Sequence, residues 1–383
     1  MAENPFVYGE IVPAAAFVGR DAERDRLAAD LASGQKVFLI SPRRYGKSSL
    51  IRQVFTTLQR RRIATLEFTV SSFSSYVAFL QGYARALVAL DTRTPPSRSW
   101  LRDLFPGFTP ELSTSPAPHR RGATTLAFPA IRTDRDAARL AEEVFALPAR
   151  IAARLGRRLA IALDEFQAIA GFNGGSVEQA LRAAVQQQRD VGYVFAGSEP
   201  SLMEQMIGPR RPFYKAGPVL RLQRIPEAAF AAFLDKRFRS TGIAPEAGLG
   251  AAIVDLAGNL PYDVQRLAHE TWDDVNAARR RRAGLDDLHA TLHRLLAEQD
   301  TLFEAVWQRL TLPQRAALRA VVLEHGRELL AADTRERHRL GGASSVQAAI
   351  AALLREDLVA REDDGQYVVI DSLMREWVAR RTF

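Results

Sequence analysis

Through the first half of the chain, short apolar runs alternate with segments whose apolar positions recur every three or four residues. The runs Val37–Ile40, Leu159–Leu163 and Val191–Ala196 have the length and residue types of strands buried on both faces. Between them, amphipathic periodicity predicts helices over Lys47–Leu58, over Asp134–Leu155 and over Ser176–Arg189. The Asp134–Leu155 helix carries Leu140, Val144, Leu147 and Ile151 on one face and is expected to break near Pro148. Strand and helix alternating in this way predict an α/β domain around a parallel sheet.

Elsewhere the pattern changes twice. The stretch 92–135 holds breakers at Pro95-Pro96, Pro106-Gly107 and Pro116-Ala117-Pro118, with a short strand expected within Ala123–Phe128, and reads as a hairpin-like excursion. From Pro226 to Ala297 no strand alternation remains, and helices are expected at Glu227–Phe238, Gly248–Ala257 and Tyr262–Ala278. The last segment predicts helices over Phe303–Leu310, Pro313–Glu324 and Ser345–Arg355, then strands Leu358–Arg361 and Gln366–Ile370 about the turn Glu362-Asp363-Asp364-Gly365, and a final helix with Trp377. That order is the one of a small winged helix. Expected boundaries are 1–222 for the α/β core with its excursion, 223–300 for a helical lid and 301–383 for the winged helix.

Composition narrows the chemistry. The 383 residues contain no cysteine, which removes disulfides, cysteine–zinc sites and thiol catalysis, and the six histidines show no ligand spacing. No apolar run approaches the roughly 20 residues needed to span a bilayer, and the start lacks a cationic stretch ahead of Ile11–Val18. A cytoplasmic protein without membrane partners is expected. The net charge is +8, and all but four of the 52 basic residues are arginine. Such lopsided usage fits a coding bias as readily as a selected surface, so charge permits a nucleic-acid partner without arguing for one.

The segment Lys36–Ile51 carries the most chemistry. A buried strand leads into Ser41-Pro42-Arg43-Arg44-Tyr45-Gly46-Lys47-Ser48-Ser49 and then a helix, the context that gives Gly-Lys-Ser its meaning as a phosphate-binding loop. Backbone N–H groups around Tyr45–Ser48, at the positive end of a helix dipole, suit phosphate oxygens. Lys47 supplies a point charge for the β- and γ-phosphates, and the Ser48 hydroxyl suits Mg²⁺. One position departs from the pattern: Ser41 stands where the first glycine belongs, and is expected to hold its turn without glycine's freedom.

A second strand ends in acid, at Asp164-Glu165. Ligands of open parallel sheets gather beyond the carboxyl ends of the strands. There Asp164 would hold the metal shell and Glu165 would activate water as general base. A third strand ends at Gly197-Ser198-Glu199-Pro200, where Ser198 either senses the γ-phosphate or attacking water or merely caps the next helix.

These residues resemble a known family. Phe17-Val18-Gly19-Arg20 with Glu23 and Leu27, the loop Ser41–Ser48, Leu163-Asp164-Glu165-Phe166-Gln167, Phe195-Ala196-Gly197-Ser198 and Gly258-Asn259-Leu260-Pro261 look like the archaeal-type ATPases of the STAND/AAA+ superclass, found in archaea and bacteria. The resemblance implies a P-loop core with a five-stranded parallel sheet in the order 5-1-4-3-2, a helical lid and a C-terminal winged helix. It implies ATP and Mg²⁺ as ligands, with Val18, Gly19 and Arg20 near the adenine and Pro261 starting a lid helix that faces the nucleotide. Arg210, Arg211 and Lys215 compete for the role of arginine finger.

The activity implied is a nucleotide-dependent ATPase switch in signalling, regulation or defence, with ATP seated between core and lid and an oligomer as one working form. Two rivals stand beside it: a DNA-acting ATPase of initiator or transposition type, and a nucleotide-binding scaffold with negligible turnover. The candidate recognition helix offers Gln347 and little positive charge before Arg355, and the wing is acidic. A protein partner for the winged helix or lid is therefore favoured over a duplex.

Overall fold

The computed structural model describes residues 3–91, 98–107, 110–114, 124–172, 176–362 and 364–381. Two compact units emerge: a core unit of Arg20–Pro42 with Lys47–Gln223, and a second unit of Met1–Gly19, Arg43–Gly46 and Arg224–Phe383.

The core unit runs α1 (Asp21–Ala32), β1 (Lys36–Ile40), α2 (Lys47–Arg60), β2 (Ala64–Thr69), α3 (Tyr76–Val88), α4 (Arg98–Leu104), β3 (Glu111–Thr114), β4 (Thr124–Ala127), α5 (Asp134–Leu155), β5 (Leu159–Asp164), α6 (Ser176–Gln187), β6 (Val191–Gly197), α7 (Pro200–Ile207) and β7 (Val219–Arg221). Five strands form one parallel sheet in the order β2-β5-β6-β1-β7. The labels depart from the expected order because β3 and β4 lie outside this sheet, as an antiparallel hairpin of their own. Counting only its five strands, the sheet reads 5-1-4-3-2 from the β7 edge.

Every residue of β5 and β6 is buried, as expected for strands covered on both faces. The apolar stripe of α2 (Leu50, Ile51, Val54, Phe55, Leu58) is buried, each such side chain contributing about 1.5–3 kcal/mol. One expectation fails. Helix α5 runs unbroken through Pro148, which is buried on the same face as Val144, Leu147 and Ile151. A proline leaves only the carbonyl one turn earlier without its donor, and core packing on both sides outweighs that loss. The hairpin-like excursion is a hairpin, β3 paired antiparallel with β4, and β4 falls within the expected Ala123–Phe128; Ala123 itself lies outside the described residues.

The second unit runs α8 (Glu227–Ser240), β8 (Ala244–Pro245), α9 (Leu249–Leu256), α10 (Pro261–Ala277), β9 (Arg282–Ala283), α11 (Leu285–Arg309), α12 (Leu312–Leu323), α13 (Ala332–Arg337), α14 (Ala343–Arg355), β10 (Val359–Arg361), β11 (Tyr367–Val369) and α15 (Ser372–Arg380). A two-residue parallel pairing of β8 with β9 interrupts the expected run of helices. More consequential is α11, one 25-residue helix that passes through the expected boundary at 300/301. Leu288, Leu292, Leu295, Phe303 and Trp307 along it bury into one continuous apolar core, which leaves no linker there. Strands β10 and β11 pair antiparallel as a wing; Asp363 of its turn lies outside the described residues. No helix among the described residues is long and apolar enough to cross a membrane.

Candidate functional site

At the carboxyl ends of β1, β5 and β6 the core unit gathers most of the residues singled out for catalysis. Lys47, first residue of α2, is buried and its ammonium donates to Asp164 and, at 3.0 Å, to Glu165 Oε1. Asp164 Oδ1 also accepts from the Glu165 amide at 2.9 Å. Ser198 Oγ donates to Glu165 Oε2 at 2.6 Å, and the Gln167 amide donates to the same oxygen at 2.6 Å. Of the two roles open to Ser198, this contact with Glu165 favours the one other than a helix cap, and α7 starts at Pro200 with no side-chain cap.

Burial alone would raise the Glu165 pKa. The hydrogen bond from Ser198, the charge of Lys47 and the bond from Gln167 outweigh it and hold the carboxyl below its ordinary value. Glu165 is thus an ionised, oriented proton acceptor. Its backbone sits in the left-handed region at φ 51, a costly conformation for a glutamate and one often stored at functional sites. Gln167 was part of the strand-end motif but was assigned no role from sequence. Its second contact, with Glu199 Oε1 at 3.2 Å, depends on β6 lying beside β5, and its Oε1 is buried with no partner. Gly197 makes room for it: a Cβ there would stand 2.7 Å from Gln167 Oε1 and 2.4 Å from Met203.

The loop resolves the Ser41 question. Ser41 is buried, its amide donates to the Gly197 carbonyl and its hydroxyl to the Pro42 carbonyl. The left-handed positions are instead Arg44 (φ 69) and Gly46 (φ 85), so glycine's freedom is used at Gly46 and not demanded at 41. Ser48 and Ser49 lie in the first turn of α2, Ser48 half-buried and Ser49 buried.

Within the second unit, Arg43–Gly46 projects its side chains onto carboxylates. Arg43 pairs with Asp357 at 2.6 Å, and Arg44 lies 3.3 Å from both Asp263 and Asp371 with its guanidinium over the Tyr262 ring. The Tyr45 hydroxyl donates to Glu362, which also pairs with Arg224. Burial first, then the Asp371 charge, push Asp263 up to about 6 against the opposing pull of Arg44. Val18 packs against the same unit's core, and Ile225 packs over Gly19. The Ile225 carbonyl accepts from Asn259, two residues before Pro261, which occupies the first turn of α10. Val18, Gly19 and the start of α10 therefore come together. Arg20 belongs to the core unit, buried, and bonds Glu23 and the Gln223 carbonyl.

Two candidates for the arginine finger part company. Arg211 is held at 3.0 Å by the buried Glu178, whose second oxygen has no partner. Arg210, in the left-handed region at φ 67, makes no side-chain hydrogen bond or ion pair among the described residues. Lys215 stacks on Tyr214.

Residues 16–196 match the AAA ATPase domain family, and residues 301–380 match a probable winged helix domain family. No protein of curated function matches the chain. Among solved structures, the Walker-type ATPase PABY2304 of Pyrococcus abyssi is similar at TM-score 0.61 and 16% identity, over 97% of this chain and 99% of that one. The Aeropyrum pernix ORC2 protein, in ADPNP–ADP complexes, aligns at TM-score 0.54 and 11% identity over 98% and 95%. The Aeropyrum pernix ORC1 protein in complex with DNA aligns at TM-score 0.52 and 16% identity over 96% and 94%. At these identities the likeness is one of fold.

Proposed function

From the premise that this chain is a P-loop ATPase, with an AAA ATPase domain over 16–196 and a C-terminal winged helix over 301–380, we propose that it works as a nucleotide-dependent switch. One observation carries the reading: Lys47, Asp164, Glu165 and Ser198 form a single hydrogen-bonded cluster at the ends of three neighbouring parallel strands. Loop amides and Lys47 hold the phosphates of ATP. Ser48 and Asp164 fit a magnesium ion. Both are hard oxygen donors, Asp164 Oδ2 takes no hydrogen bond among the described residues, and Mg²⁺ needs only one or two protein ligands beside phosphate oxygens. The ion, when bound, supplies charge neutralisation at the phosphates.

Glu165 takes the proton of the attacking water, and Ser198 with Gln167 fixes its carboxylate plane. Arg210, unpaired among the described residues, is the guanidinium offered to a neighbouring copy's nucleotide. Val18, Gly19 and Arg20 contact the base, and Pro261 sets the lid helix. For a switch, the two nucleotide states must differ in contact energy. The loop pairs from Arg43, Arg44 and Tyr45 to Asp357, Asp263, Asp371 and Glu362 are the contacts we expect to differ. We keep 1–222, 223–300 and 301–383 as functional segments, with the winged helix or lid meeting a protein partner in the cytoplasm.

Fluorescent-nucleotide binding and phosphate release test this together. Lys47→Ala should abolish binding, while Glu165→Gln should bind ATP and lose turnover. Hydrolysis by Glu165→Gln at the parental rate removes Glu165 from its role.

A further inference from the structure

The amino ends of the core strands, opposite the Lys47 cluster, carry a row of arginines that the ATPase reading does not use. Strands β2, β5 and β6 start in register, Ala64 beside Leu159 and Leu159 beside Val191. Arg60, Arg61 and Arg62 lead into the first, Arg157 and Arg158 into the second, and Arg189 into the third, all exposed. Backbone bonds carry the ladder back into these turns, from the Ala64 amide to the Arg158 carbonyl and from the Leu159 amide to the Asp190 carbonyl. Six exposed arginines therefore lie at three neighbouring strand starts that span about 10 Å.

Their pairing is sparse. Arg158 donates to the Ala32 carbonyl and lies 3.9 Å from Asp190, an acid that is itself 74% exposed. The other five make no side-chain hydrogen bond or ion pair among the described residues. Complementing helix dipoles does not require them either, because the helix ends are closed by backbone donors. The Arg61 and Arg62 amides bond the Leu58 and Gln59 carbonyls, the Arg157 amide bonds Ala152, and the Gln188 amide bonds Val185. Among the described residues only Arg158 of these six has an acid within ion-pair distance, and exposed cations so placed repel one another unless an anion of similar extent lies over them.

We propose that this face binds the backbone of duplex DNA, without sequence preference. Guanidinium forks match phosphate oxygens in pairs, and the row offers several at once. Strand-start turns project no helix or ribbon that would enter a groove, so base edges go unread. Neither the arginines nor their chain neighbours include an aromatic residue, which leaves single strands no stacking platform. The proposal stands apart from the reading of Lys47 and Glu165 and needs no turnover.

The test is fluorescence anisotropy of full-length protein on a labelled 20-base-pair duplex, titrated between 50 and 200 mM salt. Replacing one arginine per strand start (Arg61→Ala, Arg157→Ala, Arg189→Ala) removes three phosphate contacts and should flatten the log–log salt slope by about 2.7. Over that fourfold salt range the parent then loses about 40-fold more affinity than the variant. Lysine at the same three positions should retain most of the slope. Asp190→Arg adds a cation at an exposed site and should tighten binding, which keeps the proposal testable if the triple variant fails to fold.

Phosphate release by the triple variant should stay at the parental rate, so loss of DNA binding and loss of the ATPase reading are separate outcomes. Equal slopes for parent and triple variant would overturn the proposal. So would duplex binding that is lost on Gln347→Ala with Arg355→Ala, or capture by phosphatidylserine vesicles without any duplex binding.

Discussion

Replacing Lys47 by methionine tests the central cluster before any nucleotide is involved. The lysine side chain is 7% exposed, Asp164 11% and Glu165 29%. Methionine keeps the stem and deletes the ammonium, leaving a buried carboxylate without its cation. Breaking a buried pair in this way costs about 3–5 kcal/mol. The loss should sit at the low end, about 3 kcal/mol, because Glu165 is partly solvated and keeps Ser198 and Gln167 as donors.

Urea unfolding without nucleotide measures it, since no ligand linkage then enters. The pairwise part comes from a cycle with Asp164→Asn. Once the ammonium is gone, removing the Asp164 charge should cost little, so the double variant should fall short of the summed single losses by about 1–3 kcal/mol. A loss below about 0.5 kcal/mol for Lys47→Met, or strict additivity in the cycle, would refute a buried, coupled pair.

Ser198→Ala removes a donor to the ionised form of Glu165, so the acid limb of the kcat/KM profile should move to higher pH while turnover falls about tenfold. An unmoved acid limb would leave Ser198 without a part in setting that base. Asp263 has a folded pKa raised from 3.8 to about 6, so its contribution to stability is full below 3.8 and is lost as pH rises through about 6. The parent should therefore gain stability on acidification from pH 7.5 to 5, by up to about 1.4 kcal/mol, and Asp263→Asn should flatten that slope. Equal pH dependence of the two melting temperatures would contradict it. Arg211→Ala strands the buried Glu178 and should cost about 2 kcal/mol, whereas Arg210→Ala should leave stability unchanged and depress turnover. Thermal melts beside phosphate release separate the two, and the reverse pattern would exchange their roles.

What could be read from sequence was whatever lies close together along the chain. The phosphate-binding loop was legible because strand, turn and helix are contiguous, and β1 and α2 fall where the pattern placed them. Asp164 and Glu165 were legible as acids at a strand end, though their meeting with Lys47 spans 117 residues and only the sheet order creates it. Gln167 stood in the strand-end motif but was given no role, because its contacts with Glu165 and Glu199 depend on β6 lying beside β5. Of helix α11 only the part from Phe303 was expected, with a domain boundary placed at 300/301, while apolar anchors on both sides of that point bury in one core. Pro148 misled for a related reason: a local helix breaker was weighed without the long-range packing that overrides it.

The same limit bears on charge. Read along the chain, the acidic wing argued against DNA, as though its carboxylates were free. Folded, Glu362 is taken up by Arg224 and Tyr45, and Asp364 lies 3.4 Å from Arg327. The cations Arg43 and Arg44 of the loop are likewise spent on Asp357, Asp263 and Asp371. Paired charges of this kind contribute little net field beyond a Debye length. The positive excess is therefore least compensated where arginines lack acids, and the strand-start row of the core unit is such a place. Net charge becomes informative about a partner only after the paired residues have been subtracted, and that subtraction requires the fold.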